Sequence, residues 1–421
     1  MKKIFFFLII VSAINAQVEY SGRAGSSDFL PRFYLDLASY EGRDTAKSKI
    51  DIFIKLPYAN IQFLKSNEGY SARYSVAVSV YDEEDNLKVE KIWNERISTY
   101  NFKQTSSNSS FNVSYKSFEL TPGKYKLICK LEDLESKKYS THEQKIKVRA
   151  FQDPVEISDI VLISEIIQTD DGEKLIPNIS NLVTSRDTLL SFFYEIYSKT
   201  PQILNINYLI IKEEKIIFSS KKEIEVQKGE NVINEDLKNV SFALGDFQLQ
   251  VQLVAENNKV KKVVGRNFYS KIFGFPSTIR DLDLAVQQLV YIAPPGDIDY
   301  INEVKDFQTK LARFEEFWKR LDPSPNTVEN ETLNEYYRRV EYANANFKGY
   351  FKGWRSDMGM VYITLGPPDQ VTRRPYELSS KPYEIWDYYV LNRSFVFVDQ
   401  TNFGDYRLEN PAFGDWFRYR P

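Results

Sequence analysis

Three aspartates in the last quarter of the chain, Asp357, Asp369 and Asp387, stand close to large aromatic residues, Trp354, Trp386 and Tyr388. Two carboxylates held apart in a cleft suffice for general acid/base chemistry of the kind used in glycoside hydrolysis. Tryptophan beside carboxylates suits a sugar-binding cleft. Arg338, Arg339 and Arg355 supply guanidinium groups that could grip an anionic group. A plainer reading stands beside each of these. Asp357 caps a turn, Asp369 closes the turn at Pro367-Pro368, and the arginines pair with the carboxylates. No residue is assigned as catalytic. The candidate binding residues are Arg338, Arg339, Trp354, Asp357, Gly366, Asp369, Trp386 and Tyr388.

The rest of the composition removes other chemistries. His142 is the only histidine, so a Ser/His/Asp or Cys/His centre would depend on that one residue. Cys129 is the only cysteine, which excludes an internal disulfide and reads as a core thiol. A zinc site of ordinary His/Cys make-up cannot be assembled. Gly366-Pro367-Pro368-Asp369 cannot cradle phosphate as a Walker loop does, because proline lacks the amide donor. No cofactor and no metal are expected.

The elements that must hold the candidate residues are mostly helical before Gly349 and strand-like after it. At Phe275-Pro276-Ser277 the hydrophobic period changes from two to about 3.6. Ser277 or Thr278 is placed to cap a helix from near Ile279. Val304, Phe307, Leu311, Phe314, Trp318 and Leu321 form one apolar stripe, stopped by Asp322-Pro323. A third helix carries Leu333, Tyr336 or Tyr337, Val340, Ala343 and Phe347, with Thr332 and Glu335 as a capping box. Met358 to Leu365 reads as a strand, and so does Tyr383 to Val390. Phe395, Phe397 and Phe403 mark another strand and its exit.

Upstream the pattern is β. Ile50, Ile52, Ile54 and Leu56 alternate with Asp51, Phe53 and Lys55; Tyr74, Val76, Val78 and Val80 do the same. The run Gly123 to Leu131 is echoed by Gly245 to Leu253, with glycine, aromatic and leucine in register. On that echo, Leu189 to Tyr197 plays the part of Tyr74 to Tyr81. Two successive β-sandwich modules are expected, with a single larger β-domain as the competing arrangement. Aromatic residues make up 15 % of the chain, which favours β-structure with large side chains in the packing.

The first residues read as a cleavable export signal. Lys2 and Lys3 precede the apolar run Ile4 to Val11, and small residues follow at Ser12, Ala13 and Ala16. Cleavage after Ala16 leaves Gln17 first; cleavage after Ala13 is the alternative. The run is far shorter than the roughly 20 residues of a spanning helix. No cysteine stands at the cleavage point to take a lipid. A net charge of −3, with signs interspersed, gives no reason to expect nucleic acid.

Several motifs in order carry a family resemblance. Gly353-Trp354-Arg355-Ser356-Asp357 resembles the signature of the GWxTD domain of exported bacterial proteins, with Ser356 where threonine is usual. Phe317-Trp318 with Asp322-Pro323 resembles its "FW…DP" element. Asn330-Glu331 with Tyr336-Tyr337-Arg338-Arg339 resembles its "NE…Y.RR" helix. Tyr362-Ile363 through Asp369, and Tyr383 to Tyr388, resemble its later strands. An arginine that often follows the signature is absent from Asp357-Met358-Gly359-Met360. The resemblance runs from about Ile279 to Leu408, roughly a third of the chain. It implies export and supplies no activity.

The expected fold is multidomain: two all-β Ig-like sandwiches, then a helical segment and a small α+β C-terminal domain. The expected bounds are 1–16 for the signal peptide, 17–150 and 151–274 for the sandwiches, and 275–421 for the remainder. The expected function is that of a soluble cell-envelope protein, periplasmic or secreted, acting as a non-catalytic binding or assembly module. Its partner would be an envelope protein or a glycan, with no transmembrane segment in the mature chain. The alternative is an envelope hydrolase using Asp357, Asp369 and Asp387 in an aromatic cleft.

Overall fold

The computed structural model describes residues 31–44, 46–169, 172–254, 260–276, 278–325, 330–347, 353–374 and 381–409. The segment 1–16 and Ser277 lie outside them. The chain is mostly β-strand with few helices. The described residues divide into two compact units. The first holds those up to Val183, with Asp187–Ser241 and Asp246–Tyr269. The second holds Thr184–Arg186, Phe242–Gly245 and those from Ser270 on.

In the first unit, alternation places side chains as a pleated strand requires. Tyr34–Glu41, Ser48–Pro57 and Phe111–Leu120 form an antiparallel three-stranded sheet. Leu64–Ser66, Gly69–Tyr81, Gly123–Asp133 and Tyr139–Val148 form another, with Leu87–Thr99 beside Gly69–Tyr81. The two sheets share one core. Ile50, Ile52, Ile54 and Leu56 meet Tyr74, Val76, Val78, Leu127 and Leu131 there. Cys129 is buried in that core, and burial pushes its thiol pKa up, which keeps it protonated. A short helix, α1 (Phe102–Thr105), follows the strand Leu87–Thr99.

A second pair of sheets follows. One runs Gly172–Pro177, Val161–Thr169, Leu189–Ser198, Gly229–Lys238, with Val155–Ile157 also on Leu189–Ser198. The other runs Leu182–Thr184, Val260–Lys271, Gly245–Val254, Gln202–Lys212, Lys215–Val226. Phe192 and Tyr208 meet edge to face at 5.7 Å, and the Tyr194 and Tyr208 hydroxyls are 2.8 Å apart. The echoed runs are structurally alike: Gly123–Asp133 and Gly245–Val254 are both inner strands with alternating burial. Their partners correct the equivalence drawn from sequence. Gly69–Tyr81 pairs with Gly123–Asp133, but the strand on Gly245–Val254 is Gln202–Lys212, not Leu189–Ser198. Alternation shows that a segment is a strand and says nothing of its neighbour.

Within the same unit, Arg266 binds Asp36 at 2.7 Å and donates to the carbonyls of Ile160 at 2.6 Å and Leu37 at 3.2 Å. Asp159 accepts from the Ser39 amide at 2.8 Å and pairs with Arg149 at 2.7 Å. Burial raises the Asp36 carboxyl above its ordinary value, and the Arg266 charge opposes that. These contacts tie the first strand to the second pair of sheets.

The second unit contains α2 (Leu282–Gln288), α3 (Pro295–Asn302), α4 (Phe307–Arg320), α5 (Glu331–Asn346) and α6 (Asp357–Leu365). An antiparallel meander completes it: Gln370–Arg374, Tyr383–Tyr388, Arg393–Asp399 and Tyr406–Leu408. The apolar stripes of α4 and α5 are buried as their spacing predicts. The caps differ from expectation. Asp281 caps α2, and Asn330 caps α5 in place of Thr332. Both carry a short carbonyl-type acceptor, which reaches an unpaired amide in the first turn.

The larger correction is α6, which the sequence predicts as a strand. Met358-Gly359-Met360-Val361-Tyr362-Ile363-Thr364-Leu365 is apolar on nearly every side, so neither period shows, and its β-branched residues favour a strand. The ends decide it. Ser356 caps the first turn, and Gly366 at φ +84° terminates the last. Phe403 lies past the strand Arg393–Asp399, at its exit, and stands 94 % exposed.

Candidate functional site

The signature residues sit where three elements converge on the start of α6. Gly353–Arg355 is a 3-10 turn against the end of α5. A Cβ on Gly353 would lie 2.0 Å from the Ala343 carbonyl oxygen, so only glycine fits. The Trp354 amide donates to Asn344 Oδ1 at 3.0 Å, and its carbonyl accepts from the Tyr291 hydroxyl at 2.9 Å. Burial pushes that tyrosine up to about 12, so it stays a donor. The Trp354 indole is buried, meets Tyr291 edge-on at 6.3 Å and lies 4.8 Å under the Arg355 guanidinium. Its Nε1 is buried with no hydrogen-bond partner among the described residues, so packing holds the ring. Arg355 also donates to Gln287 at 3.0 Å.

Ser356 Oγ accepts from the Gly359 amide at 3.0 Å and donates to the Gly353 carbonyl at 2.7 Å. A hydroxyl is what this position requires, and serine supplies it as threonine would. Asp357 lies in the first turn of α6, where the helix dipole favours negative charge. Its Oδ2 accepts from the Leu408 amide at 2.9 Å, tying the helix start to the last strand. Met358, where an arginine is often found, is buried in the core with Val361, Tyr362, Trp386 and Phe397.

The far end of α6 gathers the other candidates. Arg339 pairs with Glu335 at 2.7 Å and donates to the carbonyls of Ile363 at 3.3 Å and Thr364 at 3.4 Å. A cation there complements the negative end of the helix. A Cβ on Gly366 would come 3.3 Å from the Arg339 guanidinium, so the two are in close contact. The Tyr388 hydroxyl donates to the Gly366 carbonyl at 2.8 Å. Arg338 is turned to Glu335 at 2.7 Å. Burial of Glu335 opposes its ionisation, but bonds from Arg338 and Arg339 outweigh it and hold the carboxyl below the ordinary glutamate value.

Asp369 Oδ2 accepts from the Tyr389 amide at 2.6 Å, and Asp387 accepts from the Ser394 hydroxyl. Trp386 is packed in the core, 4.8 Å from Phe397 and 5.3 Å from Phe347. Arg339, Gly366 and Tyr388 are therefore brought together, while Asp357 is held at the opposite end of α6. Leu408, the anchor of Asp357, lies level with Glu384 two strands away, and Asp387 is three residues further along. At about 4.8 Å per strand and about 3.4 Å per residue, the anchors are on the order of 14 Å apart. Paired glycosidase carboxylates stand at about 5–9.5 Å. Among the described residues, no group of three or more His, Cys, Asp or Glu could hold a metal ion. No helix among them is long and apolar enough to cross a membrane.

Sequence reasoning missed Tyr291, Asn344 and Leu408, and assigned Glu335 to a cap. The partners lie 10 to 63 residues from the signature.

A mostly β chain ends here in a helix-and-meander unit closed around a Gly-Trp-Arg-Ser-Asp turn. The model of the GWxTD domain matches residues 252–410, and the chain is a GWxTD domain-containing protein. The match begins about where the strand Gly245–Val254 ends, earlier than the motifs indicated. A search of curated proteins found no match. Solved structures with some likeness include red sea bream transglutaminase, at 6 % identity and TM-score 0.18, covering 56 % of this chain and 31 % of that one. A calcium-binding mutant of Bacteroides uniformis β-glucuronidase 2 gives 10 % and 0.22, covering 56 % and 28 %. A glycosyl hydrolase family 2 member from Bacteroides cellulosilyticus gives 6 % and 0.22, covering 55 % and 27 %. The chain spans less than a third of each of these proteins.

Proposed function

We propose that this chain is an exported, non-catalytic binding or assembly protein of the cell envelope, periplasmic or secreted. Two Ig-like sandwich modules, residues 17–150 and 151–274, carry the GWxTD unit of residues 275–421. One observation supports the non-catalytic part above others: the polar groups of the signature are used inside the fold. Ser356 caps α6 and Asp357 holds Leu408. A catalytic carboxylate needs a free face toward substrate. Export is supported by the order of charge, apolar run and small residues in 1–16.

Two measurements test this. N-terminal sequencing of protein recovered from the producing cell is expected to begin at Gln17, and recovery of intact Met1 in the cytoplasm defeats the export reading. Asp357→Asn and Asp369→Asn are expected to lower stability while leaving the cellular phenotype intact once folding is restored. Loss of phenotype in a fully folded variant points instead to the hydrolase.

A further inference from the structure

The C-terminal meander is apolar on both faces. Phe395 and Phe397 are buried in the core with Met358 and Trp386. On the other face Val396 lies opposite Ile385, and Val398 opposite Tyr383, all four half-buried. An antiparallel sheet with one face in water alternates apolar with polar residues. Phe-Val-Phe-Val over 395–398 does not. A groove of about 440 Å³ runs along this second face, lined by Lys381, Tyr383, Val396, Val398, Gln400 and Glu409. The Lys381 ammonium donates to the Gln400 carbonyl at 3.2 Å and to its Oε1 at 2.9 Å. The Glu409 amide donates to the Val396 carbonyl at 2.8 Å, which fixes Glu409 at the rim.

Glu409 is also where the chain leaves the described residues. Residues 410–421 follow, and four of them are aromatic: Phe413, Trp416, Phe417 and Tyr419. One residue in three is aromatic there, against 15 % in the whole chain. Segments that stay solvated are poor in aromatics, so this composition calls for an apolar surface to cover. Gly414-Asp415 is a two-residue hairpin signal, and it places the flanking Phe413 and Trp416 on one side of the turn. Asp415 matches Lys381 in charge, and Arg418 and Arg420 match Glu409.

We infer that residues 410–421 dock in this groove as an aromatic peptide, with Trp416 seated on Val396 and Val398. The meander is then a peptide-binding surface filled by the chain's own C-terminus. Position selects this occupant. The segment begins at the rim, so docking is intramolecular, at an effective concentration of roughly millimolar order. A separate partner, or the tail of a second copy, has no such advantage. The inference goes beyond the proposed function and holds whether or not the chain is exported or catalytic.

The test uses the mature chain labelled with 5-fluorotryptophan. Trp93, Trp318, Trp354, Trp386 and Trp416 give five fluorine resonances, and Trp416→Phe assigns the last. Trp416 is expected to be shifted from the position of free fluorotryptophan and broadened at least fivefold less by a soluble paramagnetic chelate. Val396→Thr/Val398→Thr keeps the branched shape and puts hydroxyls in the groove. It is expected to return Trp416 to at least half of the free broadening while the other four resonances stay in place. Where those four move, Tyr383→Ser is the second variant, read in the same way. A Trp416 resonance at the free position with full broadening in the parent overturns the inference. So does shielding that both groove variants leave unchanged. Shielding that fades on dilution assigns the contact to the tail of a neighbouring copy and overturns the intramolecular docking.

Discussion

Ser356 shows how one hydroxyl can carry the meaning of a motif position. It caps α6 and holds the Gly353 carbonyl with the same oxygen. Ser356→Ala is expected to cost about 1 kcal/mol, read from urea unfolding, and Ser356→Thr to lie within about half of that. Glu335 makes a pH-dependent contribution. Its carboxyl is held below the ordinary glutamate value by Arg338 and Arg339, against the cost of burial. The stabilisation is therefore complete above the ordinary value and is lost as pH falls through the folded one. Half-exposed pairs are screened, so Glu335→Gln is expected to cost roughly 0.5–1 kcal/mol at neutral pH. The variant and parent unfolding midpoints should converge in acid; a difference that persists there contradicts the assignment. At this scale the sequence was legible for residue type and silent on partner. Trp354, Asp357 and Arg339 stood out, but Tyr291, Asn344 and Leu408 meet them only through the fold.

Among the elements, period told strands and amphipathic helices apart wherever one face stays polar. The stripe of α4, with Leu311, Phe314 and Trp318 buried, was readable for that reason. α6 was not, because six of its nine residues are buried and no polar face marks the turn. Its termini held the information: a hydroxyl and an acid before the run, a glycine after it. Backbone chemical shifts are expected to be helical from Asp357 to Leu365, and strand-like shifts there would refute the arrangement. Two strands of the meander, Tyr383–Tyr388 and Arg393–Asp399, were legible from their aromatic residues, whereas the short edge strands Gln370–Arg374 and Tyr406–Leu408 were not, because neither buries an apolar row. Which strands pair across a sandwich was not, since distant segments alternate alike.

At the scale of the molecule, the compact first unit depends on a charge pair as well as apolar cores. Arg266 reaches Asp36 and two carbonyls within that unit. Arg266→Met is expected to cost about 3–5 kcal/mol, because it leaves a buried carboxylate unbalanced. The loss should ease as pH falls, since protonated Asp36 needs no counter-charge; thermal melts across pH check this. Asp36→Leu combined with Arg266→Met should recover much of the loss. Export and the sandwich count rest on sequence patterns of a different kind, which no side-chain contact reports.

The bond from the Leu408 amide to Asp357 spans fifty-one residues and ends beside the last strand. A polypeptide is made from its N-terminus, so Asp357 leaves the ribosome well before its donor exists. A nine-residue helix is marginal by itself, and the strand that fastens it exists only once Leu408 has been made. A truncated product ending short of Leu408 therefore presents an unfastened C-terminal unit, and quality-control proteases have a physical means of telling it from the finished protein.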